Sequence, residues 1–300
     1  MELYLVGRML KELRTRRKLT QEDLADVCSL TTISRIENEG QIPSRRVVEA
    51  LFQKLGYGSP ANDVPAKKAE LKRHNLEKQM SKLSSHGNYE FKDLLDEYKN
   101  FTEEMDAFEK QAYLFYSAVY DTEHSSPHEK VLAVLTEALN LTFPDYFAVQ
   151  KNKEREILLS QNELLIISNI AIEKQSLGLT DEAIAIMEDL KTYYEKNIFD
   201  EEEREKHFAV VLMKLADWYD DKGEYQKAMK MCEQGILNCS KSALPSFIIN
   251  KGYFYYKLDE KEKGIETIKD GLKLMKYLNQ RERMKEVRKN MQQILGINIE

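Results

Sequence analysis

A repeated pattern of paired helices in the C-terminal half most limits how this chain can fold. A small residue inside one apolar helix, Ala216, is followed by a turn and by a second small residue, Ala228. The same arrangement returns 36 residues later with Gly252 and Gly264. Small residues at these slots let the two helices of a pair cross closely. Since one such pair cannot bury its apolar face alone, the repeat predicts stacked helix pairs that form an α-solenoid with a concave groove.

Weaker copies of the pattern extend the solenoid toward the N-terminus. Residues Ile167–Gln175 lead to Ala183, residues Ala112–Tyr120 lead to Pro127–Val131, and a degenerate copy begins near His86. Six prolines and twelve glycines in 300 residues agree with an almost entirely helical protein. We therefore predict five helix pairs, two of them irregular because of insertions, with a final helix over residues 280–295 capping the end.

The first sixty residues carry a different motif, in which two short helices meet at an angle. Thr20 and Asp23 are spaced to cap the first helix, whose small inner face is Leu24, Ala25 and Val27. After a break at Cys28, Ser29 caps a second helix over about Leu30–Glu37. Spacing places Leu30, Ile33 and Ile36 on its inner side and leaves Thr31, Thr32, Ser34 and Arg35 outside.

The outer face of the second helix is suited to reading DNA. Arg35 can donate two hydrogen bonds to guanine, and the threonines can meet thymine methyls or phosphates. The alternative for Arg35 is an ion pair with Glu39 or Glu22. Gln21 at the start of the first helix, and Ser44 and Arg45 at the start of a third, are candidates for phosphate contacts. The predicted DNA-contacting residues are Gln21, Thr31, Thr32, Ser34, Arg35, Ser44 and Arg45.

These motifs resemble the helix-turn-helix of Xre/Cro-type repressors. The resemblance rests on Leu19-Thr-Gln-Glu22, Leu24-Ala25, Ile33–Asn38 and Pro43-Ser44, between a basic helix (Leu5–Arg17) and a closing helix (Arg45–Leu55). The turn between the two central helices is shortened, with Cys28-Ser29 where glycine is usual. Such a turn is typical of the peptide-sensing branch of the family. A single domain of this kind has a small footprint, so the resemblance implies a dimer on two half-sites.

The charge distribution separates this N-terminal module from the remainder. Residues 1–82 carry 16 Lys or Arg and 11 Asp or Glu, a balance of +5, whereas residues 83–300 carry 29 against 40, a balance of −11. The basic part coincides with the helix-turn-helix, where phosphate contacts are needed. A cluster of turn formers over Gly56–Pro65 ends that module, and Ala66–Leu83 reads as a basic linker helix or the first helix of the next domain.

We find little in the sequence to indicate catalysis, a metal or a cofactor. His124 and His128 are four residues apart, but Ser125-Ser-Pro127 interrupts the helix that would pair them, so a solvated loop is the better interpretation. Three scattered cysteines fit a reducing cytoplasm. Neither a signal peptide nor an apolar run of membrane-spanning length is recognisable. We expect a cytoplasmic protein that is not an enzyme and needs no cofactor.

The groove of the predicted solenoid contains asparagine at a recurring position. Two residues before the small residues Ala171, Ala216 and Gly252 stand Asn169, Lys214 and Asn250. Asparagine is a poor helix former, but its amide both donates and accepts, so it can bind the backbone of an extended peptide. The alternative is that both asparagines bond neighbouring helices. The predicted peptide-binding residues are Asn169, Glu173, Gln175, Lys214, Asn250, Tyr253 and Tyr256.

The helix pairs resemble tetratricopeptide (TPR) repeats, and the two halves in this order resemble the RRNPP group (Rgg, NprR, PlcR and PrgX types) of cytoplasmic peptide-pheromone receptors. The resemblance implies an all-α fold with an Xre/Cro-type helix-turn-helix (1–58), a linker (59–83), a right-handed TPR-like α-solenoid (84–279) and a capping helix (280–300). It implies a homodimeric transcription factor that binds double-stranded DNA and a short signalling peptide in quorum sensing, without membrane contact.

Two other interpretations stay open at the level of sequence. The acidic solenoid could dock a basic protein partner while the N-terminal module binds DNA. Alternatively, the chain could be a scaffold or phosphatase-modulating repeat protein whose N-terminal module no longer reads DNA.

Overall fold

A computed structural model describes residues 4–38, 43, 45–55, 75–77, 79–80, 83, 89–101, 105, 107–144, 146–148, 159–196 and 201–296. Every regular element within these ranges is helical, which confirms the predicted all-α class. The chain divides into two compact units, Met1–Ala183 and Ile184–Glu300. None of the helices in the described ranges has both the length and the apolar character needed to cross a membrane.

The first unit begins with the helix-turn-helix. Its elements are α1 (Tyr4–Arg16), a single 3-10 turn (Glu22–Leu24), α2 (Leu30–Glu37) and α3 (Arg45–Lys54). The boundaries of α1, α2 and α3 agree with the predicted ones to within a residue. The predicted first helix of the motif is shorter than expected, because only the 3-10 turn has regular helical bonding. The fully or nearly fully buried core consists of Leu10, Leu13, Leu24, Ile33, Ile36, Val48, Leu51, Phe52 and Leu55.

Two predicted inward positions in this module are wrong. Leu30 is 42 % exposed, although its spacing from Ile33 and Ile36 suggested the inner side. Ala25, the residue that directly follows the 3-10 turn, is exposed as well. The helical spacing of apolar residues does not predict this exposure. Both residues lie at the end of an element, where no further helical turn packs over them.

The close approach of α1 to α2 depends on Gly7. A Cβ at this position would lie 2.0 Å from the carbonyl oxygen of Ile36 and 2.9 Å from its carbonyl carbon. No side chain fits at those distances, so the backbone of α1 lies directly against the C-terminal turn of α2. This glycine therefore fixes how near α2 lies to the core of the module.

The part of the linker that the structure describes packs as the start of the repeat region. Leu76 and Met80 are buried, and the Tyr98 hydroxyl donates to the Glu77 carboxylate at 2.5 Å. The Tyr116 hydroxyl donates to the Glu77 backbone carbonyl at 3.2 Å. The Gly56–Pro65 turn cluster lies outside the described residues. Residues 75–77 and 80 thus pack with the helices that follow them.

The helices that follow in the first unit are α4 (Tyr89–Lys99), α5 (Ala107–Glu123), α6 (His128–Thr142), α7 (Gln161–Ser176) and the start of α8 (Thr180–Lys196). The hairpin α5–α6 corresponds to one of the predicted pairs, and α7 packs against α6. Ser160 and Glu163 form a reciprocal capping box at the start of α7, which explains why that helix begins where it does.

A chain of buried polar side chains joins α5, α6 and α7. The Gln111 amide donates to the Thr142 hydroxyl at 2.6 Å, and that hydroxyl donates to the Glu163 carboxylate at 2.6 Å. Glu163 is 5 % exposed, and burial raises its pKa although Thr142 and Ser160 donate to it. Because these two bonds link side chains of α5, α6 and α7, they fix the register of the three helices.

The second unit contains α9 (Glu201–Asp221), α10 (Tyr225–Asn238), α11 (Leu244–Lys257), α12 (Lys261–Tyr277) and α13 (Arg281–Leu295). Helices α9–α10 and α11–α12 are the two clearest predicted pairs. Met291 of α13 joins a core with Ile249 and Leu272, so the final helix covers the end of the last pair as predicted.

Glycines bring the last pair into backbone contact. A Cβ on Gly252 would lie 2.7 Å from the Gly264 carbonyl oxygen, and a Cβ on Gly264 would lie 2.7 Å from that of Gly252. The two small residues therefore face each other where α11 crosses α12. This confirms the reason for which the sequence pattern required them.

Candidate functional site

The hydroxyl groups of two α2 residues, Thr32 and Ser34, form hydrogen bonds with the residues that cap the helix. The Ser29 side chain accepts a hydrogen bond from the Thr32 backbone at 3.2 Å and shares one with the Thr32 hydroxyl at 2.8 Å. At the other end, the Asn38 amide donates to the Ser34 carbonyl at 2.9 Å and to its hydroxyl at 3.4 Å. Thr32 and Ser34 thus stabilise the ends of the helix, as Ser29 was predicted to do.

Thr31 and Arg35 present the exposed surface of α2. Both residues are exposed, and four residues of separation place them on one face. Arg35 forms no ion pair with any residue that the structure describes, so the alternative pairing with Glu22 is not formed; Glu39 lies outside the described residues. The guanidinium therefore projects from a short, well-capped helix.

A buried carboxylate that the sequence did not single out fixes α2 in place. The Glu37 side chain is fully buried and accepts two hydrogen bonds from Arg14 of α1, at 2.6 and 2.7 Å. Arg14 also donates to the Leu19 carbonyl at 2.9 Å. The Gln21 amide completes the set with a donation to Glu37 at 2.8 Å. We call Arg14, Gln21 and Glu37 the buried clamp.

The electrostatics of the buried clamp favour its charged form. Burial alone would raise the pKa of Glu37, but the hydrogen bonds and charge of Arg14, with the bond from Gln21, hold that pKa below its usual value. The same contact with Glu37 raises the pKa of Arg14. A bidentate Arg–carboxylate contact has a defined geometry, so the clamp sets the orientation of α2 and of Arg35.

The remaining predicted DNA contacts have mixed placements. Gln21 is half-buried and its amide nitrogen is committed to the clamp, so its predicted phosphate contact would have to use the rest of the side chain. Ser44 lies outside the described residues. Arg45 begins α3, but its side chain is likewise outside what the structure describes.

Three of the predicted peptide-binding residues lie on α7 in the first unit. Asn169 is half-buried and its amide nitrogen donates to the Leu165 carbonyl of its own helix at 2.8 Å. Gln175 is half-buried. Glu173 is only 2 % exposed and accepts from His128 at 2.7 Å and from Thr122 at 3.4 Å. The prediction that Glu173 flanks an open groove therefore does not fit its burial.

The other four predicted residues lie in the second unit. Lys214 and Tyr256 are half-buried. The Asn250 amide makes a weak contact with the Met213 sulfur at 3.2 Å, a bond to a neighbouring helix of the kind given as the alternative. The Tyr253 hydroxyl donates to Asp220 at 3.2 Å, and burial together with that carboxylate raises the pKa of Tyr253 to about 12.

The two asparagines nevertheless keep an acceptor available. Within the described part of the chain, no hydrogen bond engages the side-chain oxygen of Asn169 or of Asn250. Each amide nitrogen has a second hydrogen that its single contact leaves over. The two side chains thus retain both kinds of hydrogen-bonding capacity that an extended backbone requires.

The rings of His124 and His128 both form hydrogen bonds within the protein. His128 is the first residue of α6 and bonds Glu173, whereas the His124 ring bonds the Tyr120 carbonyl at 2.8 Å and stacks on the Tyr120 ring. Among the described residues, no group of three His, Cys, Asp or Glu side chains is arranged to hold a metal ion.

Comparison with known proteins identifies the N-terminal module. Residues 10–60 match the HTH_3 family model, described as helix-turn-helix. This range contains the 3-10 turn, α2, α3 and Arg14 of the buried clamp. No curated protein matches the chain at the level of sequence.

Solved structures extend the comparison to almost the whole chain. Bacillus thuringiensis PlcR, solved in complex with the peptide PapR7 and DNA, is 17 % identical with a TM-score of 0.52, and the match covers 93 % of this chain and 98 % of PlcR. The Streptococcus dysgalactiae SHP pheromone receptor Rgg2, solved with one cysteine replaced by serine, is 14 % identical with a TM-score of 0.51, covering 96 % of this chain and 99 % of Rgg2.

The repeat region by itself has a wider distribution. TPR-like repeats of a Podospora anserina kinesin light chain are 11 % identical with a TM-score of 0.50, covering 69 % of this chain and 96 % of that one. The repeats alone therefore do not distinguish a receptor from other TPR-like proteins. The chain has an Xre-type helix-turn-helix domain followed by TPR-like repeats, in the fold of the RRNPP regulators PlcR and Rgg2.

Proposed function

We propose that this protein is a DNA-binding transcriptional regulator whose repeats bind a short signalling peptide that changes DNA binding. The observation that carries the proposal is the outward Arg35 on a helix that the buried clamp orients, inside a module matching the helix-turn-helix family. We further propose a cytoplasmic homodimer, since one module of this size has too small a footprint for specific binding. PlcR, which has this fold, binds both a peptide and DNA.

The DNA arm of the proposal is tested by altering Arg35. In the full chain bound to a DNA fragment from its own promoter, Arg35→Ala should weaken specific binding by about five- to 150-fold, the equivalent of about 1–3 kcal/mol for a lost bidentate base contact. Binding to unrelated DNA should change little, because phosphate contacts supply most of it.

Arg35→Lys is the matched control, since it keeps the charge and removes the planar fork. It should lose sequence preference nearly as far as Arg35→Ala and retain the slope of affinity against salt. Equal losses on specific and unrelated DNA in both variants would show that Arg35 contacts only phosphates. Absence of any salt-dependent binding at low salt would favour a scaffold role.

The peptide arm rests on Asn169 and Asn250, which retain side-chain hydrogen-bonding capacity at equivalent positions of their helices. A thermal-shift screen of the full chain with pools of short peptides should yield a ligand. Asn169→Ala and Asn250→Ala should then abolish its effect and leave basal DNA binding intact.

Asn238→Ala provides a matched control for this experiment. Its amide donates to the Gln234 carbonyl four residues earlier at 2.8 Å, the same bond that Asn169 makes with its own helix. The control should respond to peptide like the wild type. A response that survives in both groove variants would reject the assignment, and stabilisation by a protein partner instead of peptides would favour a docking role.

A further inference from the structure

One apolar side chain of the helix-turn-helix is not used by its core. Leu30, the first residue of α2, is 42 % exposed. Among the residues of 9–55 whose side chains the structure describes, it is the one large hydrophobic residue that is exposed. The core of this module is otherwise closed, with Ile33 and Ile36 of the same helix at 0 and 2 %.

Few side chains of α2 are available to contact a ligand. The Thr32 hydroxyl is held by Ser29, and the Ser34 hydroxyl is contacted by Asn38. Three residues of α2 therefore keep side chains that are both exposed and uncommitted within the described residues, namely Leu30, Thr31 and Arg35. They present one apolar, one small polar and one cationic group.

These three groups differ in what they can recognise on a base pair. A guanidinium matches the two acceptors of guanine, whereas an isobutyl group has no hydrogen-bonding partner on any base edge. The single apolar group exposed in the major groove is the C5-methyl of thymine. The N-terminal residues of a recognition helix are the ones that meet base edges, and Leu30 is the first of them.

We propose that Leu30 is a specificity-determining residue that contacts the C5-methyl group of one thymine in each DNA half-site. The inference rests on the proposed DNA-binding function and adds to it a base and the group that is read. Leu30 and Arg35 are five residues apart, which is about 7.5 Å along a helix. The thymine should therefore lie within about two or three base pairs of the guanine that Arg35 contacts.

The experiment begins with selection of a binding sequence from a random duplex library by the full chain. Each thymine of the selected sequence is then replaced by deoxyuridine, which removes only the methyl group. For the wild type, one replacement per half-site should weaken binding by about fourfold, the value of one buried methyl group, and by about fifteenfold when both half-sites are changed.

Leu30→Ala should bind the thymine and deoxyuridine duplexes equally, because the group that senses the methyl is gone. Leu30→Met, which retains an apolar side chain of similar size, should keep the sensitivity. Leu237→Ala is the matched control, since Leu237 is an exposed leucine of α10 outside the helix-turn-helix, and it should leave the effect of this replacement unchanged. Amide hydrogen exchange at the buried Ile33 and Ile36 of each variant checks that α2 is formed.

The outcomes separate the two levels of the proposal. If a sequence is selected and Leu30→Ala loses the same factor on deoxyuridine as the wild type, the role of Leu30 is rejected while DNA reading stands. The role of Leu30 is equally rejected if no thymine methyl affects wild-type binding. If no sequence is enriched at all, the proposed DNA-binding function itself fails.

Discussion

The buried clamp gives the sharpest prediction about the helix-turn-helix. Arg14→Met would remove both bonds from the guanidinium and leave the Glu37 carboxylate fully buried, with Gln21 as its remaining donor. Removing one partner of a buried ion pair costs about 3–5 kcal/mol. A module of about fifty residues has a total stability of roughly 2.5–7.5 kcal/mol, so most of it would be lost.

The assay must report on α2 itself. The single tryptophan, Trp218, lies on α9, so its fluorescence does not follow the N-terminal module. Amide hydrogen exchange at Ile33 and Ile36 does. Arg14→Met should reduce their protection by about 150- to 5,000-fold, the equivalent of the loss given above. Asp26→Asn, which breaks an exposed ion pair with Lys54, is the control and should leave the protection of Ile33 and Ile36 close to that of the wild type.

Acidification should change the stability of α2 in opposite directions in the wild type and in Arg14→Met. In the wild type the pKa of Glu37 lies below its unfolded value, so its contribution is present above that value and is lost as the pH falls through the folded pKa. In Arg14→Met, uncompensated burial should raise that pKa, and acidification should then stabilise α2. Protection within tenfold of wild type at pH 7, or the same pH dependence in both proteins, would refute the reasoning. Replacing both Arg14 and Glu37 by Met should restore much of the loss.

Two further predictions concern packing. Gly7→Ala should destabilise the module by about 1–3 kcal/mol, measured by hydrogen exchange, because α2 leaves no room for a Cβ. This loss should exceed the gain from the better helix propensity of Ala. Unchanged protection would contradict the close approach of α1 to α2. Thr142→Val should lower the free energy of unfolding by about 1–3 kcal/mol, since Glu163 and Gln111 lose a shared partner. Thr136→Val on the same helix removes only a bond to its own backbone and should cost less; equal costs would argue against the polar chain.

Helix boundaries could be predicted from the sequence because they depend on local chemistry. Ser29 begins α2 through a bond to Thr32 three residues on, and the small pair Gly252 and Gly264 marks a helix crossing. Such signals are contained within a few residues or repeat at a fixed period. Both kinds of signal can therefore be recognised without knowledge of the tertiary structure.

The long-range parts of the site could not be predicted in the same way. Arg14 and Glu37 are 23 residues apart, and nothing in their spacing indicates that a charged residue at the end of α2 is buried. The exposure of Leu30 could not be predicted because helical spacing tells which residues share a face of the helix. It does not tell where along that face the packing against other helices ends. The burial of Glu173 could not be predicted because it depends on Thr122 and His128, which lie outside its own helix.

The central claim is that a peptide on the repeats controls a DNA-reading helix-turn-helix. Its most direct test is the equilibrium affinity of the full chain for its selected DNA sequence, titrated with the peptide found by thermal shift. We predict that the dissociation constant or stoichiometry of the DNA complex changes with peptide in the wild type and in Asn238→Ala. It should stay constant in Asn169→Ala and Asn250→Ala. A DNA affinity and stoichiometry that no peptide alters would contradict the account.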